Sequence, residues 1–424
     1  MTIDSDFQDS PIGLIPKDWD IVTLTNDNQA EVIMGQSPPG HSYNMEEMGI
    51  PFFQGNADFG NLYPIIKIYT TQPLKKSIKD DILVSVRAPV GEFNLSPCDC
   101  SIGRGLAAIR IRSSDLDLKY LYYHLKHQSF RLCRVEEGTT FKAIKKADLY
   151  EFLIARPTIS EQRNISEILD TVDRTITQTE QLIEKLRAIK SGLLHDLLTR
   201  GIGEDGRVRD PEKQPEEFKE SEVGLIPKDW SVRELDDCAY LNNERFDPLS
   251  EAQRYYIGLE HIEPSNPNLN SFGLSDETSS HKTCFSKGDI LFGKLRPYLR
   301  KVAQSSFSGV CSTDILVLRP KEGMKDRFLL WLLSSEPVIA HAIRTSIGTK
   351  MPRTSWELMK SEKLPIPSVN EQIRISYVLD AQEQRITSET AYLSKLMLIK
   401  KGLMHDLLTG KARVKVPREK GGES

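Results

Sequence analysis

The sequence predicts a mixed α/β fold built twice: two loop-rich α/β domains separated by two long helices that form an antiparallel coiled coil, with an internal pseudo-twofold repeat. Three observations predict it. The heptapeptide GLIPKDW at Gly13 to Trp19 returns at Gly224 to Trp230. The stretch Glu161 to Thr199 returns as Glu371 to Thr409, with 19 of 39 positions identical. Apolar residues recur about every 3.5 positions through both copies of that stretch. The copies begin 211 and 210 residues apart, too far for a solenoid unit and right for one domain plus its tail. The residues between, roughly 20–155 and 231–365, hardly resemble each other, so a shared frame presents two different surfaces.

In chain order, the first domain occupies residues 1–158 and opens on the GLIPKDW turn, whose Trp19, like Trp230 in the second copy, is read as core. Short β-rich pieces follow, among them Asp81-Ile-Leu-Val-Ser-Val, punctuated by Gly35-Gln-Ser-Pro-Pro-Gly40 and Gly55-Asn-Ala-Asp-Phe-Gly60. A helical pattern over Tyr120 to Phe130, a Gly138-Thr-Thr loop and a proline-terminated strand, Phe152 to Pro157, close it. The first long helix takes 159–200, with Ser160 and Glu161 placed where an N-terminus favours a cap and an acid. Its seam runs Ile165, Leu169, Val172, Ile176, Thr179, Ile183, Leu186, Lys190, Leu193, Leu197, eight of ten apolar. Residues 201–222, acidic with Pro211 and Pro215, read as a linker. The second domain spans 223–368, with Asp289-Ile-Leu-Phe, a helical pattern over Phe328 to Leu333, a Gly348-Thr-Lys loop and Leu364 to Pro367. The second long helix takes 369–410, capped at Asn370, and the basic tail 411–424 follows. Thirty-nine helical residues extend about 58 Å, a length no small domain buries alone, so the two helices are expected to pack on each other. Gly192 and Gly402 fit either a close backbone crossing or a late bend.

Composition bounds the class. At 424 residues, 39% hydrophobic and 27% charged, the chain can bury two ordinary cores. No apolar run reaches the roughly 18–20 residues of a spanning helix, and the acidic start lacks signal-peptide character, so a cytoplasmic protein without a membrane partner is expected. The cysteines at 98, 100, 133, 238, 284 and 311 show no CxxC spacing, and Cys98-Asp99-Cys100 falls short of the four ligands of structural zinc. Net charge is −4, which argues mildly against nucleic acid, but the average hides segregation. Residues 1–60 carry one basic and ten acidic side chains, whereas 61–160 carry sixteen basic and ten acidic. From His281 to Lys301, Lys282, Lys287, Lys294, Arg296, Arg300 and Lys301 face a lone Asp289, with Phe285, Phe292 and Tyr298 interleaved. That stripe suits phosphate contacts or, equally, a solvated amphipathic face over core aromatics.

Several motifs then occur in one order, twice: GLIPKDW, the P-x-x-x-E-Q helix starts at Pro157 to Gln162 and Pro367 to Gln372, the Gly-Thr loops, and the HDLLT helix ends at His195 and His405. Together they resemble specificity subunits of type I restriction-modification systems over essentially the whole chain. The resemblance implies two target-recognition domains that each read one half of an interrupted double-stranded DNA target, with the coiled coil as spacer and as platform for two modification (methyltransferase) subunits. It also implies restriction/translocase subunits as further partners. S-adenosylmethionine, ATP and magnesium are then expected in those partners, and no catalytic residue, cofactor or metal in this chain. In keeping with that, the sequence has no G-x-x-x-x-G-K-[ST] loop, no glycine-rich S-adenosylmethionine loop and no N-P-P-[FY] segment. His195-Asp196 and His405-Asp406 read as surface or interface rather than as acid–base pairs.

DNA-reading candidates follow from loop placement and chemistry: cations for phosphates, Arg for guanine, Asn or Gln for adenine. In the first domain they are Gln36, Ser37, Gln54, Asn56, Arg87, Arg104, Thr139, Thr140 and Lys142. In the second they are Lys294, Arg296, Arg300, Ser312, Thr313, Thr349, Lys350 and Arg353. Turn formation is the competing role for each. A coiled-coil scaffold that binds only proteins is the rival class; it leaves the clustered cations unexplained.

Overall fold

A computed structural model describes residues 6–132, 143–247, 252–275 and 280–414. The chain divides into two compact units, residues 1–180 with 392–424, and residues 181–391. Each unit holds an α/β domain and half of each long helix.

In the first unit a four-stranded antiparallel sheet runs Phe93–Leu95, Ile82–Ser85, Leu106–Ile111, Ala30–Met34. The middle strands read as continuous apolar runs because both faces are covered. Ile82, Val84, Ala107 and Ile109 join the core formed with the helices, while Leu83, Leu106 and Ala108 point to a second cluster with Phe53, Cys100 and Ile102. That cluster lies against a second sheet, ordered Tyr43–Asn44, Tyr69–Thr70, Ile50–Phe53, Cys100–Ile102, Lys76–Ser77, whose one parallel pair is Ile50–Phe53 with Cys100–Ile102.

The second unit repeats this topology under an unlike sequence. Its four-stranded sheet runs Val302–Gln304, Ile290–Gly293, Ile315–Pro320, Ala239–Asn242. Ile290 and Phe292 face the helices, whereas Leu291, Ile315 and Val317 face the other way. The second sheet again has one parallel pair, Tyr255–Ile257 with Cys311 and its neighbours, between Lys282–Phe285 and Gly273–Leu274. An ion pair marks the same corner in both units. Arg110 donates to Asp81 at 3.0 and 2.9 Å, and Arg319 donates to Asp289 at 2.8 and 2.9 Å.

The long helices span Ile159–Thr199 and Val369–Leu408. Their caps lie two residues before the expected Ser160 and Asn370: the hydroxyls of Thr158 and Ser368 accept from the backbone N–H of Glu161 and Glu371. The shift follows from the motif glutamines. Gln162 donates to the Asp115 and Pro157 carbonyls and accepts from the Asp117 N–H, and Gln372 makes the same set with Gly323, Pro367 and Lys325. These bonds fix where each helix leaves its domain.

The glutamates beside them take the tryptophans. In the second unit buried Glu371 accepts from Trp230 Nε1 at 3.0 Å, Arg209 at 2.7 Å and the Ile202 N–H at 2.8 Å. In the first, Glu161 accepts from Trp19 Nε1 at 3.3 Å and Arg413 at 2.8 Å. Trp19 and Trp230 are core, as the sequence reading has them. Segment 201–222 therefore follows a packed path: Ile202 bridges Val208, and Phe218–Ser221 pairs with Gly224–Pro227.

Within each unit the two helices are antiparallel. In the first, Ile165 and Leu169 share a cluster with Leu403, Met404, Leu407 and Leu408, and Lys400 pairs with Asp173 at 2.5 Å. In the second, Leu193 and Leu197 share a cluster with Leu379 and Ile375, and Lys190 pairs with Glu383 at 2.7 Å. The seam positions Ile165, Leu169, Ile176, Thr179, Ile183, Leu186 and Leu197 are buried. A Cβ at Gly192 or Gly402 would meet nothing within 4 Å, so neither glycine serves a close crossing among the described residues.

Candidate nucleic-acid interface

In the first unit, three loops at the ends of the strands are sewn together by backbone bonds. The Gln36 N–H donates to the Ile102 carbonyl at 2.9 Å, Gly103 to Phe53 at 2.8 Å, Gly105 to Gln54 at 3.2 Å and Val86 to Gly105 at 2.9 Å. The packing demands glycine at 35, where a Cβ would lie 2.2 Å from the Gly103 carbonyl oxygen. The Arg104 N–H donates to the Ser37 hydroxyl at 3.3 Å. Gln36, Ser37, Gln54, Asn56, Arg87 and Arg104 are thereby gathered on one loop cluster. Gln36, Gln54, Arg87 and Arg104 are exposed. Neither arginine forms an ion pair among the described residues. Thr139, Thr140 and Lys142 lie outside the described residues. Just after them the Ile144 N–H reaches the Val86 carbonyl at 3.0 Å, beside Arg87.

The second unit builds the corresponding cluster. The Ser312 N–H donates to the Ile257 carbonyl, Lys294 to Asp314, Thr354 to Lys294 and Arg296 to Pro352, all between 2.8 and 3.0 Å. Lys294, Arg296, Ser312, Thr313, Thr349, Lys350 and Arg353 are brought together, with Thr313, Thr349, Lys350 and Arg353 exposed. Arg296 and Arg300 both hold left-handed backbone at φ 51°, flanking the turn Pro297–Leu299 that presents exposed Tyr298. Non-glycine residues rarely adopt that conformation, and such strain concentrates where a surface must be shaped for a ligand.

The charged stripe divides. Arg300 is turned onto Glu336 in an ion pair. Lys282 is buried, its amine donates to Ser280 at 2.5 Å, and burial pushes its pKa down. Phe285 and Phe292 are core. The cations of this cluster without an ion pair among the described residues are therefore Lys294, Arg296 and Lys350, while Arg353 is held by Asp314.

Four residues on these loops escape the sequence reading. Asp58 accepts from the Gln54 N–H at 2.7 Å, the His261 ring accepts from the Gly258 N–H at 2.9 Å, Glu260 is exposed beside it, and Asp314 pairs with Arg353. A polar residue three to five positions after each strand end was the available signal. Carboxylates there can accept from the amino groups of cytosine or adenine.

A duplicated frame whose strand-end loops carry different polar and cationic side chains defines a protein with two separate recognition surfaces of similar build. The profile of the type I restriction modification DNA specificity domain matches residues 16–188 and again 227–397, and the chain belongs to that family.

Relatives agree. A protein of Methanocaldococcus jannaschii named as the MjaX specificity subunit is 42% identical over 196 residues, a match spanning 46% of each chain. The MjaVIII specificity subunit of the same organism is 25% identical across 95% of this chain and 94% of its own. The Escherichia coli EcoDI specificity subunit is 26% identical over 61% of each. Among solved structures, the S subunit of a type I restriction-modification system from M. genitalium shares the fold at TM-score 0.57 and 18% identity, covering 96% of this chain and 98% of that one. A chain from a structure on assembly and conformational transition of the type I system gives TM-score 0.55 at 14% identity, covering 94% and 99%. Among the described residues, no helix is long and apolar enough to cross a membrane.

Proposed function

We propose that this chain is the DNA-reading subunit of a type I restriction-modification assembly. Each unit reads one half of an interrupted double-stranded target through its strand-end loop cluster. The paired long helices set the gap between the half-sites and dock two modification subunits, and restriction/translocase subunits join that assembly. The chain itself performs no catalysis; S-adenosylmethionine, ATP and magnesium act in the partner subunits, and the assembly works in the cytoplasm.

One observation carries this reading: the polar bonds that hold each domain to its helices recur 210 or so residues apart, while the side chains at the loop clusters do not. Identical scaffolding with unlike polar tips is what a two-part sequence reader requires, because base identity is read by side chains and register is held by the frame.

The test is methylome sequencing of cells expressing the chain with a modification subunit of its system, against the subunit alone. The expected result is chain-dependent adenine methylation at a two-part sequence. Exchanging residues 20–155 for another such domain should then change one half-site and leave the gap alone. An assembled, active complex that gains no new methylation would instead favour a scaffold without DNA binding.

A further inference from the structure

The geometry points to Arg353 as a guanine reader in the half-site of the second unit, with Asp314 as the residue that positions it; this deepens, and rests on, the DNA-recognition reading above. Arg353 Nε donates to Asp314 Oδ1 at 3.0 Å and Nη2 to Oδ2 at 3.4 Å. The carboxylate thus holds one edge of the planar guanidinium. The opposite edge, one N–H from each Nη, has no partner among the described residues. Two parallel N–H groups at that spacing match O6 and N7 of guanine, the commonest specific contact in the major groove.

Three further observations separate this pair from an ordinary surface ion pair. First, the backbone on both sides is fixed before any ligand arrives. Arg353 exchanges hydrogen bonds with Ile347 at 2.9 and 3.0 Å, and Asp314 accepts from the Lys294 N–H at 2.9 Å and donates its own N–H to Ser312 Oγ at 3.2 Å. An arginine held at both ends loses less rotamer freedom on binding.

Second, the pair lies open, with the Arg353 side chain 45% and Asp314 27% exposed. The frame pairs Arg110–Asp81 and Arg319–Asp289 instead have carboxylates at 2% and 7%.

Third, the frame pair recurs in both units and this one does not. By strand register Leu106 opposes Ser85 as Ile315 opposes Gly293, so the first-unit counterpart of Asp314 is Gly105. A polar pair absent from the sister domain, on the loop cluster where the two surfaces differ, belongs to specificity rather than to folding.

The test uses the full chain co-expressed with a modification subunit of its system, comparing methylated motifs for the native chain, Arg353→Ala, Arg353→Lys and Asp314→Asn. The expected result is that Arg353→Ala and Arg353→Lys lose discrimination at one G·C position by about 10- to 100-fold, the scale of one bidentate contact. Asp314→Asn should relax the same position by less, and the other half-site should stay intact as an internal control of folding. A uniform loss across all sites with the motif unchanged would identify Arg353 as a phosphate contact and overturn the proposal. A native motif without guanine in either half-site, or an unaltered motif in Arg353→Ala, would overturn it while leaving DNA recognition standing. No chain-dependent motif from the native assembly would sink the underlying reading as well.

Discussion

Replacing His124 with leucine should remove an acid sensitivity that belongs to the first unit. His124 sits on the helix Leu118–His127, fully buried, stacked 5.9 Å from Tyr120 and edge-on to Phe152 at 6.4 Å. Burial pushes its pKa down from 6.5 to about 4; the Leu153 backbone opposes this only in part, while His127 and Arg131 add to the depression. In the unfolded chain the ring titrates near its ordinary value. Between roughly pH 6.5 and 4 the unfolded state therefore binds more protons than the folded state, and stability falls as pH falls. From pH 7 to pH 5 the loss attributable to this ring is about 2 kcal/mol, approaching about 3 below pH 4. The counterpart helix Asp326–Leu333 shows which residue the frame tolerates: Tyr123 donates to Asp170 as Trp331 donates to Asp380, so His124 corresponds to buried Leu332. Hydrogen exchange resolved by peptide, corrected for intrinsic rates, would follow the strands Leu106–Ile111 and Ile315–Pro320 at pH 7 and pH 5. The native chain should lose more protection in the first strand than in the second, and His124→Leu should cancel about 2 kcal/mol of that difference. An unchanged difference in the variant would refute the reasoning. His127, its pKa also lowered by burial and by His405, sets the residual slope.

Other perturbations test the frame and the surface separately. Glu371→Ala takes the buried carboxylate from Arg209, which is 11% exposed and keeps only Glu217 and Asp229 at the surface, and it leaves Trp230 Nε1 and the Ile202 N–H without that acceptor, so it should destabilise the second unit by about 3–5 kcal/mol in denaturant unfolding. Glu161→Ala, whose Arg413 is 46% exposed and retains Asp18, should cost about 1–2 kcal/mol; equal losses would contradict the burial argument. Gly192→Ala and Gly402→Ala, open positions inside helices, should each raise stability by about 1 kcal/mol. If stability rises while binding of a modification subunit falls, the glycines face that partner; a loss of stability would show a constraint within the chain. Arg87→Ala and Arg104→Ala, measured by DNA affinity against salt, should each lower the slope of log K on log salt by about 1 if the side chain meets a phosphate. An unchanged slope with altered half-site preference would assign it to a base.

What was legible in the sequence was periodic or repeated. The seam from Ile165 to Leu197 is set by 3.5-residue spacing alone, and Ile82–Ser85 and Ile290–Gly293 announce themselves as apolar runs buried on two faces. The helix caps were misplaced because which hydroxyl serves depends on Gln162 and Gln372 reaching distant carbonyls, a tertiary fact. That the two inserts share an architecture was legible, but their common strand order was not, since alternation of burial survives where residue identity does not. Of the DNA-reading candidates, Arg300 was compromised by a helix, Glu336–Arg344, that the sequence reading passed over despite proline in its first turn. Lys282 shows the same limit: a lysine in a basic stripe gives no sign that its strand buries it.

Duplication supplies an internal comparison that separates holding from reading. Arg110 with Asp81 recurs as Arg319 with Asp289, Lys400 with Asp173 as Lys190 with Glu383, and Trp19 with Glu161 as Trp230 with Glu371. Each repeated bond joins frame to frame, frame to helix or helix to helix, and each has a carboxylate that is buried or about a third exposed at most. Among the unrepeated polar groups, burial sorts the remainder. His124 is unrepeated and sealed, so its effect falls on stability; Arg87, Arg104, Lys294, Lys350 and Arg353 are unrepeated and accessible, so their effect falls on what the surface meets. Because the second group hangs on loops whose backbone bonds are made within the frame, changing those side chains leaves the strands and helix exits undisturbed. Altered recognition is then compatible with unaltered folding, which is the physical condition for one frame to carry two unlike readers in a single chain.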